Sequence, residues 1–439
     1  MNSEVLQKLQ IKDNRVPIMK LFESLCIVLS VSLHGSCLAQ NSVSDEDARF
    51  RLVDGLAYLD SCYSVKKTYK VPKSIDYDGK QYPVVGIWEE ACTWNEHRPE
   101  YFPEKIILSN GIRIIGRKAF EDADCKKIHI PNSVVEIGEG AFSGIEATQI
   151  KLPDNITVIK DYTFDFTDLE KIHLPKNLHY IYLSAFEDCD WLEHIRLPKY
   201  VMVIQDRAFY GCSSLKRIHI PEYVAVIGEK AFGNCEDLSR ITVSKRNLTF
   251  DSRDNCNAVI RTATDELVVG GNKTSIPNTV KRIGPHAFAG RQIEHIDIPN
   301  SVTYIGKGAF SDCYELVSIT LPDCIEEINY GTFFGCGKLT DIHLPQSLKK
   351  IDDYAFSFVS SSSITIPCNV DSIGNSAFSN CDSLREIHIE NPIPIFVGDE
   401  AFFRTPVDSI VLYVPKGSKQ QYKSHPQWGQ FVNIKESND

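Results

Sequence analysis

The 439-residue sequence contains only three methionines and four tryptophans, and it has no long hydrophobic run. A membrane-spanning helix needs about 20 apolar residues, whereas the apolar stretch Leu25–Leu33 has nine residues. Basic residues are also too few for a typical nucleic-acid binder, because the formal net charge is -11. Phosphate-binding loops, His-Glu-x-x-His helices and Gly-x-Ser-x-Gly elbows are missing as well. We therefore expect no cofactor, no nucleic-acid partner and no transmembrane segment in the mature chain.

Residues 1–39 have the organisation of an export signal, in which a short apolar core precedes small residues. We expect cleavage after Ala39, and Met19 is an alternative start. The segment ending at Cys37 also has features of a lipoprotein signal, so lipid anchoring at Cys37 is the alternative to cleavage after Ala39.

Twelve phenylalanines recur at a nearly fixed spacing. Most intervals are 22–24 residues, and one is 56. The positions are Phe120, Phe142, Phe164, Phe186, Phe209, Phe232, Phe288, Phe310, Phe333, Phe356, Phe378 and Phe402. Such a period predicts a solenoid whose units bury their apolar sides against their neighbours.

The unit LKRIHIPEYVAVIGEKAFGNC, residues 215–235, shows how one coil is built. Ile218 and Ile220 alternate with Arg217 and His219, which predicts a short strand with isoleucines inward and polar residues outward. Phe232 is expected to fill the interior.

Cysteine recurs three residues after six of the phenylalanines, at Cys189, Cys212, Cys235, Cys313, Cys336 and Cys381. Disulfides are the usual expectation for small exported domains. In a long chain with its own core, a periodic column favours buried thiols that pack as small hydrophobes.

The repeated Ile-x-Ile-Pro and Ala-Phe-x-x-Cys motifs resemble those of BspA-like leucine-rich repeats over roughly residues 105–415. The resemblance implies a β-rich solenoid of the leucine-rich-repeat type, with short parallel strands stacked in about 12–13 coils of 22–23 residues. It also implies a secreted or cell-surface protein of a bacterial outer envelope, several relatives being adhesins.

An insertion enlarges one coil at about residues 247–273. Two alternating runs, Ala258–Arg261 and Glu266–Val269, predict a β-hairpin there. Asp251, Arg253, Asp254 and Asn255 are expected to cap the loop locally, and a metal or ligand site is the alternative.

Both ends of the solenoid have features of caps. Asp54-Gly55 and Asp78-Gly79 predict hairpins, and Trp428 and Phe431 are expected to cover the far end. The predicted organisation is a signal peptide at 1–39, an amino-terminal cap at 40–104, the repeat solenoid at 105–415 and a carboxyl-terminal cap at 416–439.

The outward strand positions of the first half form a basic stripe. Its members are Lys127, His129, Lys151, Lys171, His173, His194, Arg196, Arg217, His219 and Arg240. On an acidic protein, such a stripe favours an anionic partner, although acids on adjacent loops could neutralise it. His129 and His173 are two coils apart, about 10 Å, which is too far for one zinc ion.

Candidate catalytic residues are few. Cys92, Glu96 and His97 lie close together in a cap loop, and Cys256 with His286 forms a weak nucleophile-base candidate. We therefore predict a non-enzymatic, monomeric binding or adhesion protein that presents its sheet to host or cell-surface proteins or glycans. The alternatives are a glycan-active enzyme, with its site in the hairpin coil or amino-terminal cap, and a structural envelope protein without a ligand.

Overall fold

The computed structural model describes residues 41–93 and 102–437. The predicted signal cleavage at Ala39, the lipid anchor at Cys37 and the pair Glu96 and His97 lie outside these ranges. The described chain is a β-solenoid of about 16 turns, which confirms the predicted fold class. The phenylalanine-bearing coils continue at both ends into turns that lack the phenylalanine.

Nearly every coil contributes one strand to a row of parallel strands, here called the face ladder, whose hydrogen bonding divides it into five sheets. In these strands the alternate apolar residues are buried and their neighbours point outward. The strands are Thr68–Lys70, Lys105–Ile107, Lys127–His129, Gln149–Lys151, Lys171–His173, Arg217–Ile220, Arg240–Val243, His295–Asp297, Ser318–Thr320, Asp341–Ile342, Ser363–Ile366, Glu386–Ile389, Val411–Val414 and Asn433–Glu436.

A second ladder of two-residue parallel strands follows the turn after the face segment in most coils. Its register pairs an apolar residue with the equivalent residue of the next coil, as in Ile181 with Ile204. The strands are Ile114–Ile115, Glu136–Ile137, Val158–Ile159, Tyr180–Ile181, Val203–Ile204, Val226–Ile227, Arg282–Ile283, Tyr304–Ile305, Glu327–Ile328, Lys350–Ile351, Ser372–Ile373 and Phe396–Val397.

Antiparallel hairpins begin the described chain. Asp54-Gly55 and Asp78-Gly79 occupy their turns with positive φ at all four residues, as tight hairpin turns require. The strands are Asn41–Ser44, Ala48–Val53, Leu56–Cys62, Ser74–Tyr77 and Lys80–Ile87. The third and fifth of these pair in parallel with each other, so the hairpins join the solenoid directly.

The insertion folds as the predicted hairpin. Phe250–Asp251, Ala258–Arg261 and Glu266–Gly270 form an antiparallel meander, and its last strand continues in parallel into the second ladder. A short 3-10 turn, Arg253–Asn255, connects its first two strands.

The repeat phenylalanines form two interior stacks of six rings, one on each side of the insertion. Neighbouring ring centroids are 5.1–5.8 Å apart and the rings are nearly parallel. The buried residues likewise divide into two clusters that meet at the insertion. Each coil therefore depends on its neighbours for burial of its own ring.

All six cysteines of the repeat column are buried and carry free thiols. Each thiol donates a hydrogen bond to the carbonyl of the repeat phenylalanine in the preceding coil, as Cys235 does to Phe209 at 3.1 Å. Burial raises the pKa of Cys235 to about 11, so the thiol keeps its proton. The expectation of buried thiols is confirmed, and the hydrogen bonds give the column a role beyond packing.

A short helix, Lys419–Ser424, and the 3-10 turn Trp428–Gln430 close the far end. Trp428 and Phe431 are buried and contact Phe402, the last ring of the second stack. The Trp428 indole N–H donates to the Ile395 carbonyl at 3.0 Å. These aromatic side chains cover the end coil, as solenoids require.

One buried carboxyl makes the stability of the solenoid depend on pH. Asp165 is buried, and its Oδ1 atom has no hydrogen-bond partner among the described residues. Burial, with repulsion from Glu187, raises the pKa of Asp165 to about 6. A carboxyl with a higher pKa in the folded than in the unfolded chain stabilises the fold at low pH, and this contribution is lost as the pH rises through about 4 to 6.

We therefore expect Asp165→Asn to increase the free energy of unfolding by about 1–2 kcal/mol at pH 7.5 and to change it little at pH 4. Urea denaturation at both pH values measures the difference. An equal effect at the two pH values would show that the charge of Asp165 is not the cause.

Candidate binding groove

All ten residues of the predicted basic stripe are exposed, and eight of them, all except His194 and Arg196, lie on strands of the face ladder. The intervening isoleucines, such as Ile172, Ile195 and Ile218, are buried. The alternation that separates inward from outward side chains therefore holds throughout the first half of the solenoid.

An open groove of about 1840 Å³ crosses this face. Seven residues of the stripe line it: Lys171, His173, His194, Arg196, Arg217, His219 and Arg240. Lys127, His129 and Lys151 lie on the same face but are not among the lining residues. The groove is larger than a usual small-molecule pocket of about 300–1,000 Å³, which suits an extended partner.

The turns beside the strands add lining residues that the strand alternation did not identify. They are Lys176, Lys199, Arg246, Trp191 and Tyr200. Lys176 and Lys199 each follow a Leu-Pro pair. This repeated motif marks the turn after the strand segment and could have identified both lysines from the sequence. Trp191 lies in the turn before its strand segment.

Positive charge dominates the groove. Seven lysines and arginines line it against three glutamates, a formal excess of four positive charges on a protein whose net charge is -11. Two of the glutamates form ion pairs, Glu193 with Lys216 and Glu222 with Lys199. Six of the seven cations have no carboxylate within 4.0 Å among the described residues, and they are Lys171, Lys176, Arg196, Arg217, Arg240 and Arg246.

The face ladder is interrupted in the middle of the groove. The segment containing His194 and Arg196 forms no regular strand, contrary to the alternation pattern, and makes only an isolated bridge between His194 and Arg217. Its apolar residues Ile195 and Leu197 remain buried. The groove therefore lies over a break between two sheet segments, one ending at Lys171–His173 and the next beginning at Arg217–Ile220.

Histidine contributes to the groove chiefly as a neutral polar group at His219. Its ring Nδ1 lies 2.9 Å from the Thr242 hydroxyl, and partial burial lowers its pKa. It therefore stays neutral at neutral pH. Within residues 41–93 and 102–437, no group of histidine, cysteine, aspartate or glutamate side chains is positioned to hold a metal ion.

The second half of the face ladder differs because its polar side chains contact one another. Thr320 donates to Asp297 at 3.1 Å, and His295 lies 2.7 Å from Ser318. His388 stacks on Tyr413 with ring centroids 4.5 Å apart. These mutual contacts leave fewer groups available to a partner than in the first half.

The hairpin coil uses its charged residues internally. The Arg253 guanidinium contacts Asp251 at 2.8 Å and Asp265 at 2.6 Å, so two of the four predicted capping residues, Asp251 and Arg253, interact locally. Cys256 lies 3.8 Å from the Ser252 hydroxyl, and His286 Nδ1 is buried without a hydrogen-bond partner in the described part of the chain. No contact links the candidate nucleophile to the candidate base.

Helices are short throughout the described ranges, and none of them has both the length and the apolar character needed to cross a membrane.

Structural comparison finds the same fold in two bacterial proteins. A leucine rich cell surface protein from Faecalibacterium prausnitzii A2-165 is 22% identical with a TM-score of 0.57, and the match covers 91% of this chain and 95% of that chain. The pneumococcal vaccine antigen PcpA is 20% identical with a TM-score of 0.57, covering 91% of this chain and 98% of that chain. Among curated proteins no match is found.

The family model described as BspA type leucine rich repeat region (6 copies) matches residues 102–213, 184–257, 271–385 and 313–414. These matches span most of the solenoid on both sides of the insertion. The chain therefore belongs to the family of BspA-type leucine rich repeat proteins.

Proposed function

We propose that the protein is an exported, non-enzymatic binding protein that uses the basic groove of its face ladder to hold an anionic partner at a cell surface. The observation that carries this proposal is the cluster of six groove cations without carboxylate partners. A surface location is consistent with the family and with the cell-surface description of one structural relative.

Physical chemistry favours a binding role for these cations. Seven lysines and arginines line one groove, and like charges held close together on one face favour an anionic partner. Such a partner would pair with the cations that have no carboxylate partner, while an extended solenoid face supplies a long contact surface.

The glycan-active enzyme gains no specific support. Glycoside hydrolysis uses two carboxyl groups about 5–10 Å apart across the bond that is cut, but Asp251 and Asp265 of the hairpin coil are both bound to Arg253. A structural protein without a ligand remains the competing account, and a binding measurement separates it from the proposal.

Charge reversal of the groove floor is the test. We expect Lys171→Glu, Arg196→Glu and Arg217→Glu together to weaken binding to heparin or polygalacturonate at least 100-fold, because each change replaces attraction by repulsion. Biolayer interferometry with immobilised polyanion measures the affinity. Binding by the wild-type protein should also weaken as ionic strength rises.

A matched control carries the same change of net charge outside the groove. Lys273→Glu, Lys281→Glu and Lys416→Glu alter three exposed lysines, none of which lines the groove. We expect this variant to retain most of the wild-type affinity. Equal binding by the two triple variants, or no binding by the wild-type protein, would contradict the proposal.

A further inference from the structure

Two large aromatic side chains flank the groove and remain exposed. Trp191 is 62% exposed and Tyr200 is 47% exposed, and both line the groove together with its cations. Trp191 precedes the central segment at His194, whereas Tyr200 follows the same segment beyond Pro198. The two rings therefore lie at opposite edges of the cationic floor.

Contacts within the protein hold the Tyr200 edge in place. Tyr200 stacks on Tyr223 of the next coil, with centroids 5.7 Å apart and ring planes 15° apart. The Lys199 ammonium lies 5.8 Å from the Tyr200 ring centroid and 5.5 Å from that of Tyr223. The tyrosines thus form a short platform, with one cation beside it, rather than two independently moving side chains.

The floor between these edges repeats its charge from coil to coil. Each of four successive coils contributes one cation to the floor, namely Lys171, Arg196, Arg217 and Arg240. Lys171, Arg217 and Arg240 lie in one row along the solenoid, together with His194, the bridge partner of Arg217, and Arg196 lies two residues further along its segment. The cations therefore follow the solenoid axis in two adjacent rows. A flexible polymer that carries many anionic groups can follow these rows more closely than the fixed surface of a folded protein.

From the aromatic edges and the repeating cations, we infer that the groove binds an anionic polysaccharide, which rests on the proposed binding function. The carboxylate or sulfate groups contact the arginines and lysines of the floor. The apolar faces of the sugar rings pack against Trp191 and the Tyr200 platform, since aromatic side chains combine a large apolar face with a polar edge. An acidic polypeptide offers the same charge but no sugar rings for these edges.

Removal of the aromatic edges separates the two partner classes. Trp191→Ala with Tyr200→Ala leaves the charge of the groove unchanged, and we expect it to weaken binding of the full chain to heparin and polygalacturonate roughly tenfold or more. Binding to polyglutamate should change less than threefold. Tyr330→Ala serves as the control, because Tyr330 is 52% exposed and lies outside the groove. We expect this variant to bind all three polymers with wild-type affinity.

The outcomes distinguish this inference from the proposed function. Wild-type affinity of the aromatic variant for both polysaccharides, together with loss of binding on charge reversal, would overturn the polysaccharide inference and leave the basic groove intact. Tighter binding to polyglutamate than to either polysaccharide would also overturn it. Retained binding by the charge-reversed protein would instead overturn the proposed function. Heparin and polygalacturonate distinguish a preference for sulfate from one for carboxylate.

Discussion

Arg291→Met is expected to lower the free energy of unfolding by about 3–5 kcal/mol. Arg291 is 1% exposed, and no carboxylate pairs with it within the described chain. Its guanidinium donates to the carbonyls of Phe232 at 2.6 Å, Gly270 at 2.8 Å, Ala289 at 3.1 Å and Cys235 at 3.2 Å. A methionine side chain is apolar, has no N–H donor and would leave these hydrogen bonds unmade.

The position of Arg291 explains why the effect should be large. It stands three residues after Phe288, where six other coils have a cysteine whose thiol donates to the carbonyl of the preceding repeat phenylalanine. Here the preceding repeat phenylalanine is Phe232, across the insertion, and the longer arginine reaches it. Arg291 therefore joins the two halves of the solenoid at the point where the stack of rings is interrupted.

Equilibrium urea denaturation, followed by circular dichroism, measures this prediction. Arg282→Met is the matched control, because Arg282 has a partly exposed side chain with a long ion pair to Glu266 at 4.0 Å. We expect it to cost less than about 1 kcal/mol. A loss at Arg291 no greater than that at Arg282 would refute the assigned role.

Phe209→Ala is expected to cost about 3–5 kcal/mol, the usual range for truncating a buried phenylalanine. Phe209 is fully buried between Phe186 and Phe232, with centroid distances of 5.2 and 5.3 Å. Its removal leaves a cavity between two coils that are held by their own backbone hydrogen bonds, so the space closes only in part.

Urea denaturation also measures the effect of Phe209→Ala, with Phe166→Ala as the control. Phe166 is 63% exposed and lies outside the stack, so its truncation should change the stability by less than about 0.5 kcal/mol. Phe209→Leu should lie between the two, because leucine retains most of the apolar volume. Equal losses at Phe209 and Phe166 would contradict the interior stack.

The periodic features of this protein were predictable because one physical rule repeats in every coil. Alternation predicted that Ile218 would be buried and Arg217 exposed, and the Asp-Gly pairs predicted hairpin turns. The role of Arg291 was not predictable from the repeat, since a lone arginine in place of a cysteine gives no indication of burial. Its reach depends on the geometry of the insertion.

Some backbone conformations could not be predicted from the sequence. Residues two positions before and two positions after every repeat phenylalanine have positive φ, including Tyr162 at 56° and Phe166 at 54°. Large aromatic residues rarely adopt this conformation. Their backbone N–H groups donate to Leu183 and Glu187 of the next coil, so the stacking of coils overrides local preference.

The groove itself shows the same division. Alternation predicted that seven of its residues would lie on one face. The break in the face ladder at His194 and the position of the flanking aromatic side chains depend on the packing of successive coils, which the alternation pattern does not give.

Lysine acetylation footprinting with and without bound polyanion tests the location of the binding site most directly, with the reactivity of each lysine measured by mass spectrometry. We predict protection of Lys171 and Lys176 and unchanged reactivity at Lys273, Lys281 and Lys416. Protection of the latter three with no change at Lys171 and Lys176 would contradict a binding site on this face.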